Sequence, residues 1–403
     1  EQGPDVVGCN TSTVPSKAEQ KAARGRRLAL RLNPDAIAIV TGCYAELEPE
    51  AGAAVAPRAV VVPGSRKDGL RAMAAGLVAA RLEGLDLLDE ARRLAAVAAG
   101  KTPDPFAFVP GDARFHSRVQ LKVQDGCDNR CAYCRVCLAR GRSVSLVPEL
   151  ALSRATALAT RGVPEIVLTG VNLSQYRSGG LDFSGLLELL AGGTEGVAFR
   201  ISCWEPDRVD DAFLRAFALP RVRPHLHLSV QSGSDRILRS MGRRYGRDDV
   251  LRAADAVRAV RAVRDDPFIG ADIILGFPGE TDDDFLDTLD LLERVRPAWI
   301  HAFTFSPRPG TRAYDMKPRV PERVAVERAA AVQALAVSGK ADFAGRRLVC
   351  VLEAVVETHG AASVDDAPVG PGTDDSGPEV GARSGIVYAT PADYLQLRSE
   401  KRR

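Results

Sequence analysis

Six strand-like segments alternate with helix-like segments between residues 117 and 305, and this alternation restricts the fold more than any other feature of the chain. The strand-like segments are Val119–Val123, Ile166–Leu168, Phe199–Ser202, Leu226–Val230, Ala271–Leu275 and Ile300–Phe305. The helix-like segments are Pro148–Arg161, Phe183–Leu190, Arg208–Phe217, Asp248–Arg264 and Asp282–Val295. Repeated βα units favour a parallel sheet. The sequence therefore predicts an α/β fold with a full or partial TIM-type barrel, whose functional residues lie at the C-terminal ends of the strands.

The flanking regions predict two smaller parts. Residues 1–100 show buried strand-like runs and helical periodicity, which indicates an N-terminal α/β domain. The C-terminal region contains β-like segments at Arg347–Glu357, Ile386–Thr390 and Tyr394–Leu397. These segments predict a small β module, interrupted by a disordered acidic insertion near 358–384. The predicted boundaries are 1–100 for the N-terminal domain, 101–116 for a linker, 117–337 for the barrel and 338–403 for the β module.

Composition excludes several classes of protein. The chain has 54 basic and 52 acidic residues, and a net charge of +2 neither demands nor excludes a nucleic-acid partner. No apolar run reaches the ~20 residues that a membrane span needs, and the first residues do not form a signal peptide. We therefore expect a cytoplasmic protein without a membrane partner. Eight cysteines in a long chain with no export signal do not indicate a disulfide scaffold.

Four of the eight cysteines lie between residues 127 and 137, directly after the first predicted barrel strand. Cys127, Cys131 and Cys134 have the spacing C-x3-C-x2-C. Three thiolates on one short loop can bind three irons of a four-iron cluster and leave the fourth iron open to a chelating substrate. The alternative is a structural zinc site with Cys137 as the fourth ligand.

The loop DGCDNRCAYCRVCLARGRS (Asp125–Ser143) resembles that of the methylthiotransferase branch of radical S-adenosylmethionine (radical SAM) enzymes. The resemblance extends over nearly the whole chain. It includes LTGVN (Leu168–Asn172), RIS (Arg200–Ser202) with Glu205, HLHLSVQSGSD (His225–Asp235), MGRRY (Met241–Tyr245), DIILGFPGET (Asp272–Thr281) and FSPRPGT (Phe305–Thr311). The C-terminal β module resembles the TRAM domain, a small RNA-binding β-barrel.

This resemblance implies a radical SAM barrel in which Cys127, Cys131 and Cys134 are the catalytic residues and hold a [4Fe-4S] cluster, with SAM on its open iron. Seven further residues are candidates for binding SAM, from the shared motifs or from their positions at strand ends: Tyr133, Gly170, Asn172, Ser202, Gln231, Arg243 and Gly276. A plain tight turn is the alternative for Gly276, and a solvated helix end is the alternative for Arg243. His225 and His227 share one face of a strand and are interpreted as core or barrel-lining residues rather than as ligands.

Within the branch, NTSTVPSKAEQK (Asn10–Lys21) and TGCYAE (Thr41–Glu46) are most similar to the enzymes that add a methylthio group to carbon 2 of N6-threonylcarbamoyladenosine in tRNA. The resemblance implies two partners, a tRNA anticodon stem-loop and an electron donor such as flavodoxin or ferredoxin. The alternatives within the branch are isopentenyladenosine in tRNA and an aspartate of a ribosomal protein.

The family also has a second [4Fe-4S] cluster, held by three cysteines of the N-terminal domain, and here the sequence departs from the pattern. Cys43 matches the last of these cysteines, Ser12 stands at the middle position, and the first belongs to a segment that this sequence lacks. Cys9 is a possible substitute, although a cysteine ending a buried strand is more often inert packing. We therefore expect a truncated N-terminal domain and no normal second cluster. A further alternative is an RNA-binding remnant that lacks sulfur insertion.

Overall fold

The structure is a computed structural model. It describes residues 4–11, 16–100, 104–109, 118–261, 267–344, 350–356, 386–391 and 397–400. The chain forms two compact units. The first contains Glu1–Phe108, Asp125–Ser143 and Ser306–Asp315, and the second contains Val109–Gln124, Val144–Phe305 and Met316–Arg403. In the described part of the chain, none of the helices combines the length and the apolar content that crossing a bilayer requires.

The secondary structure alternates along most of the chain. The strands are β1 (Val6–Thr11), β2 (Ile37–Gly42), β3 (Ala59–Pro63), β4 (Arg118–Lys122), β5 (Gln124–Asp125), β6 (Val144–Ser145), β7 (Glu165–Thr169), β8 (Arg177–Ser178), β9 (Leu181–Asp182), β10 (Ala198–Ile201), β11 (His225–Gln231), β12 (Phe268–Leu275), β13 (Trp299–Thr304), β14 (Cys350–Val356), β15 (Ile386–Pro391) and β16 (Leu397–Glu400). The helices are α1 (Ser16–Leu32), α2 (Cys43–Leu47), α3 (Pro49–Ala53), α4 (Gly69–Glu83), α5 (Leu87–Ala99), α6 (Val136–Arg140), α7 (Pro148–Thr160), α8 (Phe183–Gly193), α9 (Asp211–Phe217), α10 (Asp235–Met241), α11 (Arg247–Arg261), α12 (Asp282–Val295) and α13 (Glu322–Ala344).

The first unit is built on a parallel sheet with the strand order β1-β2-β3. Every residue of the central strand β2 is buried, because apolar side chains cover both faces of the sheet. One face packs against α4 and α5 through Ile37, Ile39, Val60, Val62, Met73, Leu77 and Ala91. The register pairs Thr11 with Gly42, so β1 and β2 end side by side, and α2 begins at the next residue, Cys43.

The second unit is a partial parallel barrel. Its strands form two parallel sheets, with the orders β10-β7-β4 and β11-β12-β13. Parallel bridges between Phe199 and Val222 and between Trp204 and Leu228 join the two sheets. Among the described strands, β4 and β13 do not pair with each other, so the barrel is open. The prediction of six consecutive parallel strands is confirmed, in the partial form.

Polar side chains fix where several barrel helices begin. Asp182, Asp210, Ser234 and Thr281 each accept a hydrogen bond from a backbone amide in the first turn of the following helix. Two helices differ from the prediction. Helix α9 begins at Asp211 rather than Arg208, because Asp210 is its cap. Helix α10 has no counterpart among the predicted helices.

The described part of the C-terminal region is an antiparallel sheet with the order β14-β15-β16. The predicted segments Arg347–Glu357 and Ile386–Thr390 correspond to β14 and β15, whereas β16 begins at Leu397, where the sequence predicts the third segment to end. Several predicted features lie outside the described residues: Ser12, most of the linker at 101–116, and the acidic insertion at 358–384.

Candidate functional site

The loop Asp125–Ser143 is closed by contacts between its two ends. The backbone amide of Cys127 donates to the carbonyl of Gly141 at 3.1 Å, and Arg140 lies 3.5 Å from the carboxylate of Asp125. Gly126 has a φ of 70°, and a Cβ atom there would lie 1.9 Å from the carbonyl oxygen of Arg142. Only glycine therefore permits this closure.

A tight turn inside the loop brings Cys131 and Cys134 together and includes Tyr133. The amide of Cys134 donates to the carbonyl of Cys131 at 3.1 Å, and the amide of Val136 donates to Cys134 Sγ at 3.4 Å. Burial is the main cause that raises the pKa of the Cys134 thiol to about 12; the Val136 amide lowers it, and the neighbouring Cys131, Cys137 and Cys127 add to the rise. Thiolates crowded at a buried turn need positive charge beside them, so this loop fits a metal group.

Cys137, the fourth cysteine of the loop, is not placed as a further metal ligand beside Cys127, Cys131 and Cys134. Cys137 Sγ donates to the carbonyl oxygen of Cys134 at 3.6 Å. A zinc ion would hold its sulfur ligands about 3.8 Å apart, from a Zn–S bond of about 2.3 Å. Among the described residues, no three cysteines have sulfur atoms within 4.8 Å of one another. The loop therefore fits a multi-iron cluster better than a single zinc ion.

Four of the candidate SAM-binding residues lie at the C-terminal ends of consecutive barrel strands. Gly170 follows β7, Ser202 follows β10, Gln231 ends β11 and Gly276 follows β12. Because parallel strands end at the same edge of a sheet, these four positions share one rim of the second unit. Gln231 has a φ of 69°, an uncommon conformation for a residue with a side chain, and it is buried.

Glu205 joins two other candidates in a buried network. One carboxylate oxygen accepts from Asn172 Nδ2 at 3.0 Å, and the other accepts from Arg243 Nη1 at 2.9 Å. The hydroxyl of Ser174 donates to Asn172 Oδ1 at 2.6 Å, and the amide of Asn172 donates to Gln124 Oε1 at 2.8 Å. The Arg243 side chain is only 8% exposed, so it is not a solvated helix end. The network places an amide and a guanidinium group near the rim in fixed orientations.

The two glycines of the rim are enclosed by other parts of the protein. A Cβ atom on Gly276 would lie 2.5 Å from the Cβ of Ala325 in α13, and its φ of 74° also favours glycine. The amide of Gly276 donates to Glu280 Oε2 at 2.7 Å, and Arg328 Nη1 donates to the same oxygen at 2.5 Å. At Gly170, a Cβ would lie 2.7 Å from Gln124 Oε1. Packing alone thus accounts for glycine at Gly276, as the tight-turn alternative proposes.

The described residues of the N-terminal sheet supply one of the three cysteines expected for a second cluster. Cys43 begins α2 and is half-buried. Cys9 packs in an apolar cluster with Ala38, Val40 and Ala45. Burial raises the pKa of the Cys9 thiol, while Arg26 lowers it to a smaller extent. This position fits packing rather than iron binding, and Ser12 lies outside the described residues. The residues seen here do not fit a three-cysteine auxiliary site.

Two features of the second unit were not predicted from the sequence. Glu205 holds Asn172 and Arg243 together, although the sequence analysis assigns it no role. His227 Nε2 lies 2.9 Å from Asp272 Oδ1, and His301 Nδ1 lies 3.5 Å from the same atom. Burial lowers the pKa of His301, His227 lowers it further, and Asp272 opposes both effects. The only sequence signal for this group is the alternation of His225 and His227, which indicates a shared face without naming its neighbours.

Comparison with known proteins gives consistent matches. The radical SAM superfamily profile matches residues 121–292. Threonylcarbamoyladenosine tRNA methylthiotransferase MtaB from Treponema pallidum is 45% identical, covering 86% of this chain and 83% of that protein. The protein with the same name from Thermotoga maritima is 36% identical, covering 79% and 70%. The tRNA-2-methylthio-N(6)-dimethylallyladenosine synthase of Nitratidesulfovibrio vulgaris is 35% identical, covering 87% and 78%.

The solved structures that resemble this chain share its fold at low sequence identity. One is the radical SAM methyltransferase TsrM from Kitasatospora setae with tryptophan and a SAM analogue bound, with a TM-score of 0.53 and 16% identity. The similar region covers 78% of this chain and 65% of TsrM, just under two thirds of its length. At this identity the likeness supports the α/β architecture and nothing about the substrate.

Proposed function

This chain belongs to the radical SAM methylthiotransferases, and from that premise we propose that it adds a methylthio group to carbon 2 of N6-threonylcarbamoyladenosine beside the anticodon of tRNA. The observation that carries the proposal is the 45% identity to the Treponema protein, over 83% of its length. The dimethylallyladenosine synthase is 35% identical. The higher identity to the Treponema protein favours threonylcarbamoyladenosine, rather than an isopentenyl-type adenosine, as the substrate.

Membership of the superfamily implies a [4Fe-4S] cluster and SAM as cofactors. In this proposal the cluster is held by Cys127, Cys131 and Cys134. When bound, such a cluster would supply the electron for reductive cleavage of SAM. The Val136 amide then stabilises negative charge on Cys134 Sγ through its 3.4 Å hydrogen bond. Cys134 is half-buried, which limits the access of water to this ligand.

The rim residues and the Glu205 network orient SAM in this proposal. Arg243 is held by Glu205 and lies over the ring of Tyr245, with 5.2 Å between the guanidinium carbon and the ring centroid. A guanidinium fixed in this way can bind a carboxylate with little loss of rotamer entropy. Asn172 offers an amide from the same network. The remaining proposed contacts are Tyr133, Gly170, Ser202, Gln231 and Gly276. Fixed orientation matters because radical transfer requires a set geometry between SAM and the substrate.

The tRNA would be bound partly by the C-terminal module. The antiparallel sheet β14-β15-β16 follows α13, which continues to Ala344, past the predicted boundary at 338; we include a TRAM domain built on this sheet in the proposal. The proposed partners are the tRNA anticodon stem-loop and an electron donor such as flavodoxin or ferredoxin. A substrate of this kind places the reaction in the cytoplasm, where tRNA is found.

We assign no chemistry to a second cluster, because the described residues do not supply its ligands. One competing function is an RNA-binding protein that no longer inserts sulfur, because Ser12 stands at the middle ligand position of that cluster. Iron content after anaerobic reconstitution separates the two. Two clusters give about eight irons per chain, whereas the loop Asp125–Ser143 alone gives about four.

The substrate is tested by mass spectrometry of tRNA nucleosides. A bacterial strain that lacks its own threonylcarbamoyladenosine methylthiotransferase would express this chain or its Cys134→Ser variant. We expect 2-methylthio-N6-threonylcarbamoyladenosine only with the unaltered chain. Accumulation of a methylthiolated isopentenyladenosine would overturn the substrate assignment. If neither product forms although the deoxyadenosine assay with SAM and dithionite is positive, the competing function is favoured.

A further inference from the structure

We propose that His227, Asp272 and His301 bind one divalent first-row transition-metal ion inside the second unit. The three residues come from the neighbouring strands β11, β12 and β13. The register pairs His227 with Gly270 and Asp272 with His301. Because Gly270 and Asp272 are two residues apart on β12, they point to the same face, and all three side chains share that face.

The distances match those between ligands of a single ion. His227 Nε2 and Asp272 Oδ1 are 2.9 Å apart, His301 Nδ1 and Asp272 Oδ1 are 3.5 Å apart, and the three ligand atoms all lie within 4.8 Å of one another. Two ligands bonded at about 2.1 Å to one ion are separated by about 3.0 Å at a right angle and about 3.4 Å at the tetrahedral angle. A separation of 3.5 Å is long for a hydrogen bond. Coordination of one ion by all three side chains therefore explains these distances better than two hydrogen bonds do.

Gly270 makes room for the His227 ring. A Cβ atom at residue 270 would lie 2.4 Å from His227 Nδ1, so any larger residue would displace the imidazole. Glycine weakens the interior of a strand and is common where another group approaches the backbone closely. Gly270 is also fully enclosed in β12, with neighbouring strands on both sides. The backbone of β12 is thus arranged to accept this imidazole beside Asp272.

The charge of Asp272 also favours a bound cation. Among the described residues, no arginine or lysine forms an ion pair with Asp272, and its salt-bridge partners there are the two histidines. The side chains are 13% exposed for His227, 27% for Asp272 and 48% for His301. A partly buried carboxylate is costly without a compensating positive charge, and a metal ion would supply it.

The donor set defines which ions would bind. Two imidazoles and one carboxylate suit zinc, iron and cobalt in their divalent states, and the set contains no sulfur. Three protein ligands leave at least one coordination position open for water or for an oxygen atom of a substrate. Aromatic rings of Trp299 and Phe303 lie 5.9 and 6.0 Å from the His301 ring and form part of its apolar surroundings. The site shares no residue with the cysteine loop, so the two can be tested separately.

Zinc is the ion used in the test. Reconstituted full-length protein with its cluster in place is equilibrated with Zn²⁺ and desalted, and its zinc and iron are counted by mass spectrometry. We expect one zinc per chain, unchanged iron, and an X-ray absorption spectrum of zinc with nitrogen and oxygen ligands only. His301→Gln and Asp272→Asn should each weaken zinc binding by at least about 100-fold, more than the loss of an outer-shell partner. His301 is half exposed, so its substitution should not disturb folding.

Asp248→Asn, a substitution in α11 of the same unit, is the matched control and should retain the zinc. Three results would overturn the proposal. The first is an absence of zinc in the unaltered protein, and the second is equal zinc affinity in all four proteins. The third is sulfur in the zinc coordination shell together with a loss of iron, which would place the zinc at the cysteine loop.

Discussion

Glu205 and Arg243 form a 2.9 Å ion pair that is almost fully buried, with 11% and 8% of their side chains exposed. The other oxygen of the same carboxylate accepts from Asn172. One acidic side chain therefore fixes two proposed SAM contacts from separate connections, Asn172 after β7 and Arg243 between α10 and α11. Its effect on SAM binding can be measured directly.

Replacing Glu205 by glutamine should weaken SAM binding by about 10- to 100-fold. A hydrogen bond to a charged group contributes about 1.5–3 kcal/mol, and 1.4 kcal/mol corresponds to a tenfold change in affinity. Equilibrium binding of SAM to the reconstituted protein measures the effect. Glu188→Gln, in an exposed position on α8, is the control and should leave the affinity unchanged. Equal affinity in the two variants would show that the network does not orient SAM.

Substitutions of two cysteines in the loop should differ sharply in their effect on the iron content of the reconstituted protein. Cys134→Ser should remove the cluster, because a serine oxygen is a poor ligand for iron and Cys134 Sγ is the atom that the Val136 amide supports. Cys137→Ser should keep about four irons per chain, because the Cys137 thiol is directed at the Cys134 carbonyl. Iron analysis and the visible absorption of the reconstituted variants measure this. Equal loss in both variants would instead support a site with four cysteine ligands.

Gly126→Ala should abolish cluster assembly without unfolding the protein. The added methyl group would lie 1.9 Å from the Arg142 carbonyl oxygen, and backbone cannot move aside as a flexible side chain can. Gly84→Ala, in the same unit, is a close control, because Gly84 also has a positive φ, in the left-handed helical region, but no atom lies within 4 Å of the added carbon. That substitution should cost only about 1–2 kcal/mol of conformational energy. Iron content distinguishes the variants, and circular dichroism verifies their folding.

The barrel strands could be predicted from the sequence because each is a short apolar run bounded by helical periodicity. The prediction Val119–Val123 differs by one residue from β4, and Asp282–Val295 equals α12. Helix α10 was not predicted, because the main sequence signal for its start is the single cap Ser234. The placement of residues at strand ends, such as Gln231, could be predicted from the alternation of strands and helices alone.

The side-chain networks could not be predicted, because they depend on pairing between distant strands. Asn172 and Glu205 are 33 residues apart, and Glu205 and Arg243 are 38 residues apart. The pattern of one strand shows which side chains share a face, but the register with its neighbours decides what they contact. The same reason explains why His227 could be placed on a face while Asp272 and His301 remained unassigned.

Removing Arg200 should strongly destabilise the second unit. Arg200 Nε donates to Glu165 Oε1 at 2.6 Å, and both side chains are at most 1% exposed. Loss of one partner from a buried ion pair typically costs about 3–5 kcal/mol. We expect Arg200→Met to lower the free energy of unfolding by up to that amount in urea titrations, because Glu165 then keeps only its 2.9 Å ion pair with Arg223. A loss below about 1 kcal/mol, as for a surface pair, would contradict the buried geometry.

Stability should also decrease as the pH falls below the ordinary pKa of histidine, because of His225. This side chain is buried and stacks on Phe268 with 4.9 Å between ring centroids. Burial lowers its pKa well below the ordinary value, and Arg200 lowers it further. In the unfolded chain His225 takes up a proton near pH 6.5, whereas in the folded protein it stays neutral. Acid therefore favours the unfolded state, and the stability present above pH 6.5 is lost as the pH falls toward the folded pKa.

The expected loss between pH 6.5 and pH 5 is about 2 kcal/mol, for a histidine that remains neutral throughout in the folded protein. Urea unfolding at pH 7 and pH 5 measures it in the unaltered protein and in His225→Phe, where a similar flat ring can stack on Phe268. Carboxylates and other histidines titrate alike in both proteins, so the difference between the two pH dependences isolates His225. The variant should lose about 2 kcal/mol less stability at pH 5. Identical losses would mean that folded His225 accepts a proton, which its burial beside Arg200 should prevent.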